Sequence, residues 1–345
     1  MMIARDEAAG ITRCLESAAA HVDAMLVLDT GSTDDTVALA QAAGAEVHHF
    51  TWCDDFAAAR NAALALSRAD WNLVLDADEW LVGDTGHLAT LGPEPCIGLV
   101  PVTSEFDLQG EVQAATSWLP RLLPAGVRYA GRIHEQPQSG LPRRRVPVQV
   151  THTGYRGSEL ARKRGRNRQL LQRALADTPD DAYLHYQLGK DHEIYGEYPQ
   201  AAACYARALE RMRPDDSFLH DLVLRTLYAL KQAREFEQAF QFAESEMPRW
   251  QHSPDFYFAL GDLLLDWAVE NPAQAVEQLL PIAESCWLRS LDIGERPDLE
   301  GAVHGRGSFL AAHNLAVLYE GLGNPEQAAR YHALAAQLKA GAVPG

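Results

Sequence analysis

Over roughly the first 80 residues, short apolar runs alternate with segments in which apolar residues recur at helical spacing, the pattern of a βαβ-type sheet domain. Met1 to Ala4 reads as a very short strand, and Ile11, Leu15 and Ala18 mark a helix. Met25 to Asp29 forms a second strand that ends in the turn Asp29-Thr30-Gly31-Ser32. Ser32 with Asp35 resembles a capping box for a helix whose body is Val37 to Ala43, before a third strand near Glu46 to Phe50. Asp54 or Asp55 then starts a helix through Phe56 to Ser67, and Trp71 to Leu75 returns to the sheet. Beyond Glu79 the chain turns β-rich, with strand candidates at Ile97 to Thr103, Trp118 to Leu123 and Val146 to His152.

From Arg162 onward the pattern is almost wholly helical, and it repeats. Placing Leu188-Gly189 on Leu315-Ala316 sets Ala201, Tyr205 and Ala208 over Ala328, His332 and Ala335, the small-large-small signature of a helix-turn-helix repeat. The triplets Pro179-Asp180-Asp181 and Pro214-Asp215-Asp216 add a second periodic mark, and Leu260-Gly261 and Ala239 seed two further copies. Such units stack because none buries its apolar face alone, and the stack leaves a concave groove. That groove binds a partner, or the helices buttress or dimerise the other half.

Bulk composition narrows the picture. A chain of 345 residues with 47% apolar and 22% charged residues suggests two soluble domains. Five widely spaced cysteines without a C-x-x-C indicate neither a disulfide framework nor a zinc knuckle, which suits a reducing cytoplasm. No apolar stretch approaches the ~20 residues that span a bilayer, so no integral membrane segment is expected. The net charge of −17 argues against a nucleic-acid partner, since phosphate contacts need a basic face. The basic run Arg162-Lys163-Arg164-Gly165-Arg166-Asn167-Arg168 reads most simply as a solvated helix face between the domains.

The chemistry concentrates in Trp71 to Glu79, where an apolar run ends in Asp76-Ala77-Asp78-Glu79. Two aspartates one residue apart at the mouth of a sheet can hold a hard divalent cation beside a phosphate. Alone, a D-x-D is more often a solvated turn than a ligand pair. Its company is more specific: Met2-Ile3-Ala4-Arg5-Asp6-Glu7, residues 28 to 36 (Leu-Asp-Thr-Gly-Ser-Thr-Asp-Asp-Thr), Trp52 to Asn61, Gly131-Arg132-Ile133-His134-Glu135 and His152-Thr153-Gly154-Tyr155. Taken together these resemble the bacterial family-two glycosyltransferases of GT-A fold that carry tetratricopeptide repeats, a group related to the S-glycosyltransferases of glycopeptide bacteriocins. Members usually carry several residues before the first strand, so the resemblance implies a clipped strand or a native start upstream of Met1.

The resemblance implies an α/β GT-A domain with a Rossmann-like nucleotide-sugar site over residues 1–157, a basic linker helix over 158–178 and an all-α tetratricopeptide-like repeat domain over 179–340. It implies an inverting, metal-dependent transfer from a nucleotide sugar, a UDP-sugar first, to a protein, peptide or saccharide acceptor. Asp29 would meet the uracil or serve as a turn former with Ser32. Arg60 would meet the diphosphate or base edge or, alternatively, pair with Asp54 or Asp55, and Glu7 would meet the ribose hydroxyls. Asp76 would touch the ribose, and Asp78 would hold Mn²⁺ or Mg²⁺, with His152 as a further ligand, a phosphate donor or a structural histidine. Tyr155 has a weaker claim. Inversion needs a base on the acceptor side, for which Glu135 is the first candidate and Glu79 the rival, with His134 orienting the acceptor. The competing reading is a non-catalytic repeat scaffold with a degenerate transferase domain.

Overall fold

The protein is seen here as a computed structural model, described for residues 1–83, 94–108, 111–146, 148–152, 165–213 and 216–341. It divides into two units, Met1–Asp177 and Thr178–Gly345. Of the sequence motifs, Thr153, Gly154, Tyr155, Arg162, Lys163, Arg164, Pro214 and Asp215 lie outside the described residues.

In the first unit, β1 (Met2–Ala4), β2 (Leu26–Asp29) and β3 (Glu46–His49) form a parallel sheet in the order β1-β2-β3, in register Ala4↔Asp29 and Asp29↔His49. Helices α1 (Ile11–Ala19) and α2 (Thr36–Ala42) make the crossovers, as βαβ units require. Ile11, Leu15 and Ala18 of α1 are buried with Met2, Ala4 and Val27. Ser32 does not cap α2: its hydroxyl accepts from Asp6 N at 3.0 Å, and the helix begins at Thr36 after Asp35. Joining the two loops is the competing use of that hydroxyl. Asp55 does cap α3 (Phe56–Leu66), accepting from Ala58 N at 2.9 Å.

A second, six-stranded sheet contains β4 (Trp71–Leu73), β5 (Glu79–Val82), β6 (Ile97–Leu108), β7 (Glu111–Pro124), β10 (Arg143–Arg145) and β11 (Gln149–His152). The long β6–β7 hairpin extends well past the two short strands the sequence suggests. Its partner β4 runs antiparallel to β7, so Trp71 to Leu73 joins this sheet rather than extending the first. Met1 bridges the two, donating to Leu73 O at 2.9 Å and accepting from Leu75 N at 3.2 Å. That is a parallel pairing pattern, which puts Asp76 at the same edge where β1 and β2 end.

The second unit is all-α. After α4 (Arg166–Asp177), which closes the first unit, come the pairs α5 (Ala182–Ile194) with α6 (Tyr198–Leu209), α7 (Leu219–Gln232) with α8 (Phe236–Glu246), α9 (Pro254–Glu270) with α10 (Leu280–Ile293), and α11 (Phe309–Gly321) with α12 (Pro325–Gly341). Gly189 of α5 faces the buried Tyr205 ring of α6, and Gly261 of α9 faces the buried Trp287 ring of α10. Gly196 and Gly323, with φ of 71° and 69°, terminate α5 and α11 in the left-handed conformation that glycine adopts without strain. This is the repeat architecture the small-large-small spacing suggests. No helix among the described residues is long and apolar enough to cross a membrane.

Candidate active site

The loops that follow β1 and β2 are stitched together. Thr33 N donates to Asp6 Oδ1 at 2.7 Å, Glu7 N donates to Thr36 Oγ1 at 2.7 Å, and Ala8 N donates to Asp34 Oδ2 at 3.1 Å. Asp29 is buried at the end of β2 and accepts from Gly31 N and Ser32 N, each at 3.1 Å, with His49 Nδ1 at 3.3 Å. Burial opposes its charge, but the Ser32 and Gly31 bonds outweigh it and hold the carboxyl below its usual range. The turn-former role is therefore real, and Asp29 still lines a cleft of about 540 Å³ with Arg5, Thr30, His49, Phe50 and Trp52. Such a cleft, with two aromatic side chains and one fixed carboxylate, suits a planar base carrying an N–H donor.

Asp76, Ala77 and Asp78 lie between β4 and β5, and α1 supports them from behind. Cys14 Sγ donates to Asp76 O at 3.4 Å, and Leu81 N donates to Ser17 Oγ at 3.0 Å. Burial, with Glu79 adding to it, pushes the Cys14 thiol up to about 12, so it stays protonated as a donor. Gly10 approaches so closely that a Cβ there would stand 2.7 Å from Ala77 O. Gly10→Ala is expected to destabilise the first unit by about 1–3 kcal/mol, whereas Gly140→Ala, which has open space, should change little. Denaturant melts of the two variants check this.

The acidic residues do not behave alike. Asp76 Oδ1 accepts from Arg60 Nη2 and Asp76 Oδ2 from Arg121 Nη2, both at 2.7 Å. Arg121 Nη2 also donates to Glu79 Oε1 at 2.5 Å, and Asp76 N donates to Glu79 Oε2 at 2.9 Å. Arg60 Nε donates to Glu135 Oε1. Burial works against the charge on Asp76, but Arg121 and then Arg60 hold its carboxyl well below the ordinary range. Burial raises Glu79 despite Arg121, and the charge of Asp76 raises it further. In such a buried network, removing one partner costs about 3–5 kcal/mol, because the other is left charged and uncompensated.

Asp78 stands apart from these arginines. Register sets His152 of β11 opposite Glu79, and its Nε2 lies 3.2 Å from Asp78 Oδ2. Burial resists protonation of His152, yet the hydrogen bond and charge of Asp78 prevail and raise its pKa above the ordinary value.

The structure thus brings Arg60, Asp76, Glu79 and Glu135 into one cluster, pairs Asp78 with His152, and sets Asp29 in the cleft. Two placements differ from expectation. Arg60, expected at the diphosphate, is buried on the alanine-rich face of α3 and turned to Asp76 and Glu135; neither Asp54 nor Asp55 is its partner, since Asp54 meets Arg173 and Asp55 caps α3. Glu79, the rival base, is 3% exposed, with its oxygens accepting from Arg121 Nη2 and Asp76 N. Glu135 and His134 lie in the loop between β8 (Arg128–Ala130) and β9 (Gln136–Gln138), where Gly131 and His134 have φ of 99° and 52° and Ile133 is buried. Glu7 follows β1 at the stitched loops. Arg121 was missed; the available signal was a lone basic residue inside the apolar run Trp118 to Leu123.

Residues 1–85 match the family model described as Glycosyl transferase family 2. A TPR repeat-containing protein of Synechococcus elongatus is 38% identical over 239 residues, 64% of this chain and 59% of its own length. The SPbeta prophage-derived glycosyltransferase SunS of Bacillus subtilis is 25% identical over 285 residues, 77% of this chain and 66% of its own. The chain therefore spans less than two thirds of either relative. Among solved structures, MamA from Desulfovibrio magneticus aligns with 54% of this chain and 94% of its own at a TM-score of 0.41 and 14% identity.

Proposed function

Starting from a chain that carries a glycosyl transferase family 2 domain ahead of tetratricopeptide-type repeats, we propose that it is an inverting, metal-dependent glycosyltransferase that moves a sugar from a UDP-sugar to a protein, peptide or saccharide acceptor. The observation that carries this reading is the pairing of Asp78 with His152 at the sheet edge where the strands ending in Ala4 and Asp29 also stop. Open α/β sheets bind ligands at that edge.

The donor set fits a hard divalent cation. Mg²⁺ and Mn²⁺ at phosphate sites are commonly held by one or two protein ligands, with phosphate oxygens and water completing the shell. Asp78 would hold the cation with His152, which must be neutral to do so. When bound, the cation would neutralise the charge that builds on the departing diphosphate.

The remaining roles belong to the chain itself. Asp29 accepts the N–H of the base in the cleft, and Glu7, at the end of the first strand, faces the ribose. Asp76, fixed by two guanidinium groups, keeps lone pairs for a ribose hydroxyl and sets the turn that carries Asp78. Glu135 takes the acceptor's proton, its carboxylate held in place by the bond from Arg60, and His134 orients the acceptor. The repeats present the acceptor or a second copy of the chain. All five cysteines are free, which suits a cytoplasmic setting.

Two experiments test this. Calorimetric titration with UDP and Mn²⁺ should show binding of both, and a panel of nucleotide sugars should reveal metal-dependent hydrolysis of one. Glutamine at position 135 keeps an oxygen for Arg60 but cannot take a proton. Glu135→Gln is therefore expected to bind UDP as the parent does while losing transfer by about 10²–10⁴-fold; an unchanged rate assigns the base elsewhere. If UDP and Mn²⁺ both fail to bind, the scaffold reading takes over.

A further inference from the structure

Asp76 and Asp78 are one residue apart, yet their surroundings divide them. Both oxygens of Asp76 carry guanidinium bonds, and its backbone N–H is fixed by Glu79. Arg121 is the hinge of this arrangement: a single nitrogen, Nη2, reaches Asp76 Oδ2 and Glu79 Oε1 at once. It comes from β7, the strand between β4 and β6, and its side chain is only 12% exposed. Its Nε is also buried with no hydrogen-bond partner among the described residues, so its fit to the two carboxylates is obtained at the expense of one of its own donors. A purely structural pair could be made with every donor satisfied or with apolar packing.

We propose that Arg121, acting with Glu79 as a bracket on both the side chain and the backbone of Asp76, is a positioning residue that sets the turn so that Asp78 alone is presented to the cation with His152. This rests on the glycosyltransferase reading of the same site. Residues of this kind, one step behind a ligand, typically change metal affinity by about 10–100-fold. The base cleft at Asp29 is built on β2 and the stitched loops, with no contact to Arg121 among the hydrogen bonds that form it. Metal-free UDP, held mainly by that cleft and meeting Asp76 only through a ribose hydroxyl, should therefore depend on Arg121 much less than the cation does.

The test is calorimetric, with UDP alone and with UDP plus Mn²⁺ as probes, on the full chain. Arg121→Met is expected to bind metal-free UDP within about twofold of the parent and to weaken Mn²⁺ in the UDP complex by about 10-fold or more, with Arg121→Lys recovering part of the loss. Because Arg121→Met leaves buried carboxylates uncompensated and can fail to fold, the double variant Arg121→Met/Glu79→Leu, which removes both charges of the pair, serves as a second probe. It should show the same selective loss. Unchanged Mn²⁺ affinity in a folded variant overturns the inference, and so does an equal loss of metal-free UDP. If the parent protein itself binds UDP but not Mn²⁺, the metal-dependent reading fails first, and the inference falls with it.

Discussion

Asp78→Asn should remove both sugar transfer and the slow hydrolysis of the donor, by about 10²–10³-fold, while leaving the fold intact. The asymmetry of the site is what makes this expectation specific. Asp76 is compensated by Arg60 and Arg121, and its removal would strand both guanidinium groups. Asp78 instead faces His152, the partner the sheet register gives it. Asparagine keeps the size and a carbonyl oxygen but not the charge, so the turn should hold while the cation site empties. Steady-state assays with and without EDTA, beside thermal melts and circular dichroism, check it. Full turnover in Asp78→Asn, or turnover insensitive to EDTA, would refute a metal-borne leaving group.

How much of this was legible beforehand depends on how local each feature is. The strand ends Ala4, Asp29 and His49 and the cap at Asp55 follow from residues adjacent in the chain, where periodicity and capping rules apply directly. The motif Ala59-Arg60-Asn61 was visible, but its reasons were not. Asn61 clamps the backbone of Tyr129 with bonds of 2.9 and 2.8 Å, and Arg60 reaches Glu135, both beyond the span of any local rule. Ser32 had two acceptable uses, as a helix cap or as a loop tie, and only the three-dimensional nearness of Asp6 decides between them. Arg121 carried no spacing signal at all. An isolated arginine in an apolar strand says that a carboxylate must be waiting, but not which.

The repeats show the same division between pattern and partner. Leu188-Gly189 and Leu260-Gly261 mark equivalent points, yet the ring against Gly261 is Trp287, set further along the chain by the longer connection at residues 271–279. Ala316 occupies the corresponding place in the last pair, where the ring position is held by the exposed His332 and tolerates a methyl group.

Gly189 is the sharpest case of that close approach. A Cβ at this position would stand 2.3 Å from Cε1 and 2.5 Å from Cδ1 of Tyr205. Tyr205 cannot retreat, since its ring is fully buried and its hydroxyl donates to Glu193 Oε2 at 2.6 Å, a carboxylate itself held by Arg225. Gly189→Leu is therefore expected to destabilise the helical unit by about 3 kcal/mol, the upper end of ordinary overpacking. Helix propensity favours leucine over glycine by up to about 1 kcal/mol and runs against this sign, so the clash must exceed that gain for the variant to be destabilised. Denaturant melts of Gly189→Leu, Tyr205→Ala and the double variant form a cycle. Removing the ring opens a cavity that costs about 3–5 kcal/mol by itself, and a leucine at 189 should refill part of it. The double variant is thus expected to be more stable than the two single losses would sum to, and strict additivity would show that Gly189 is not there to admit the ring.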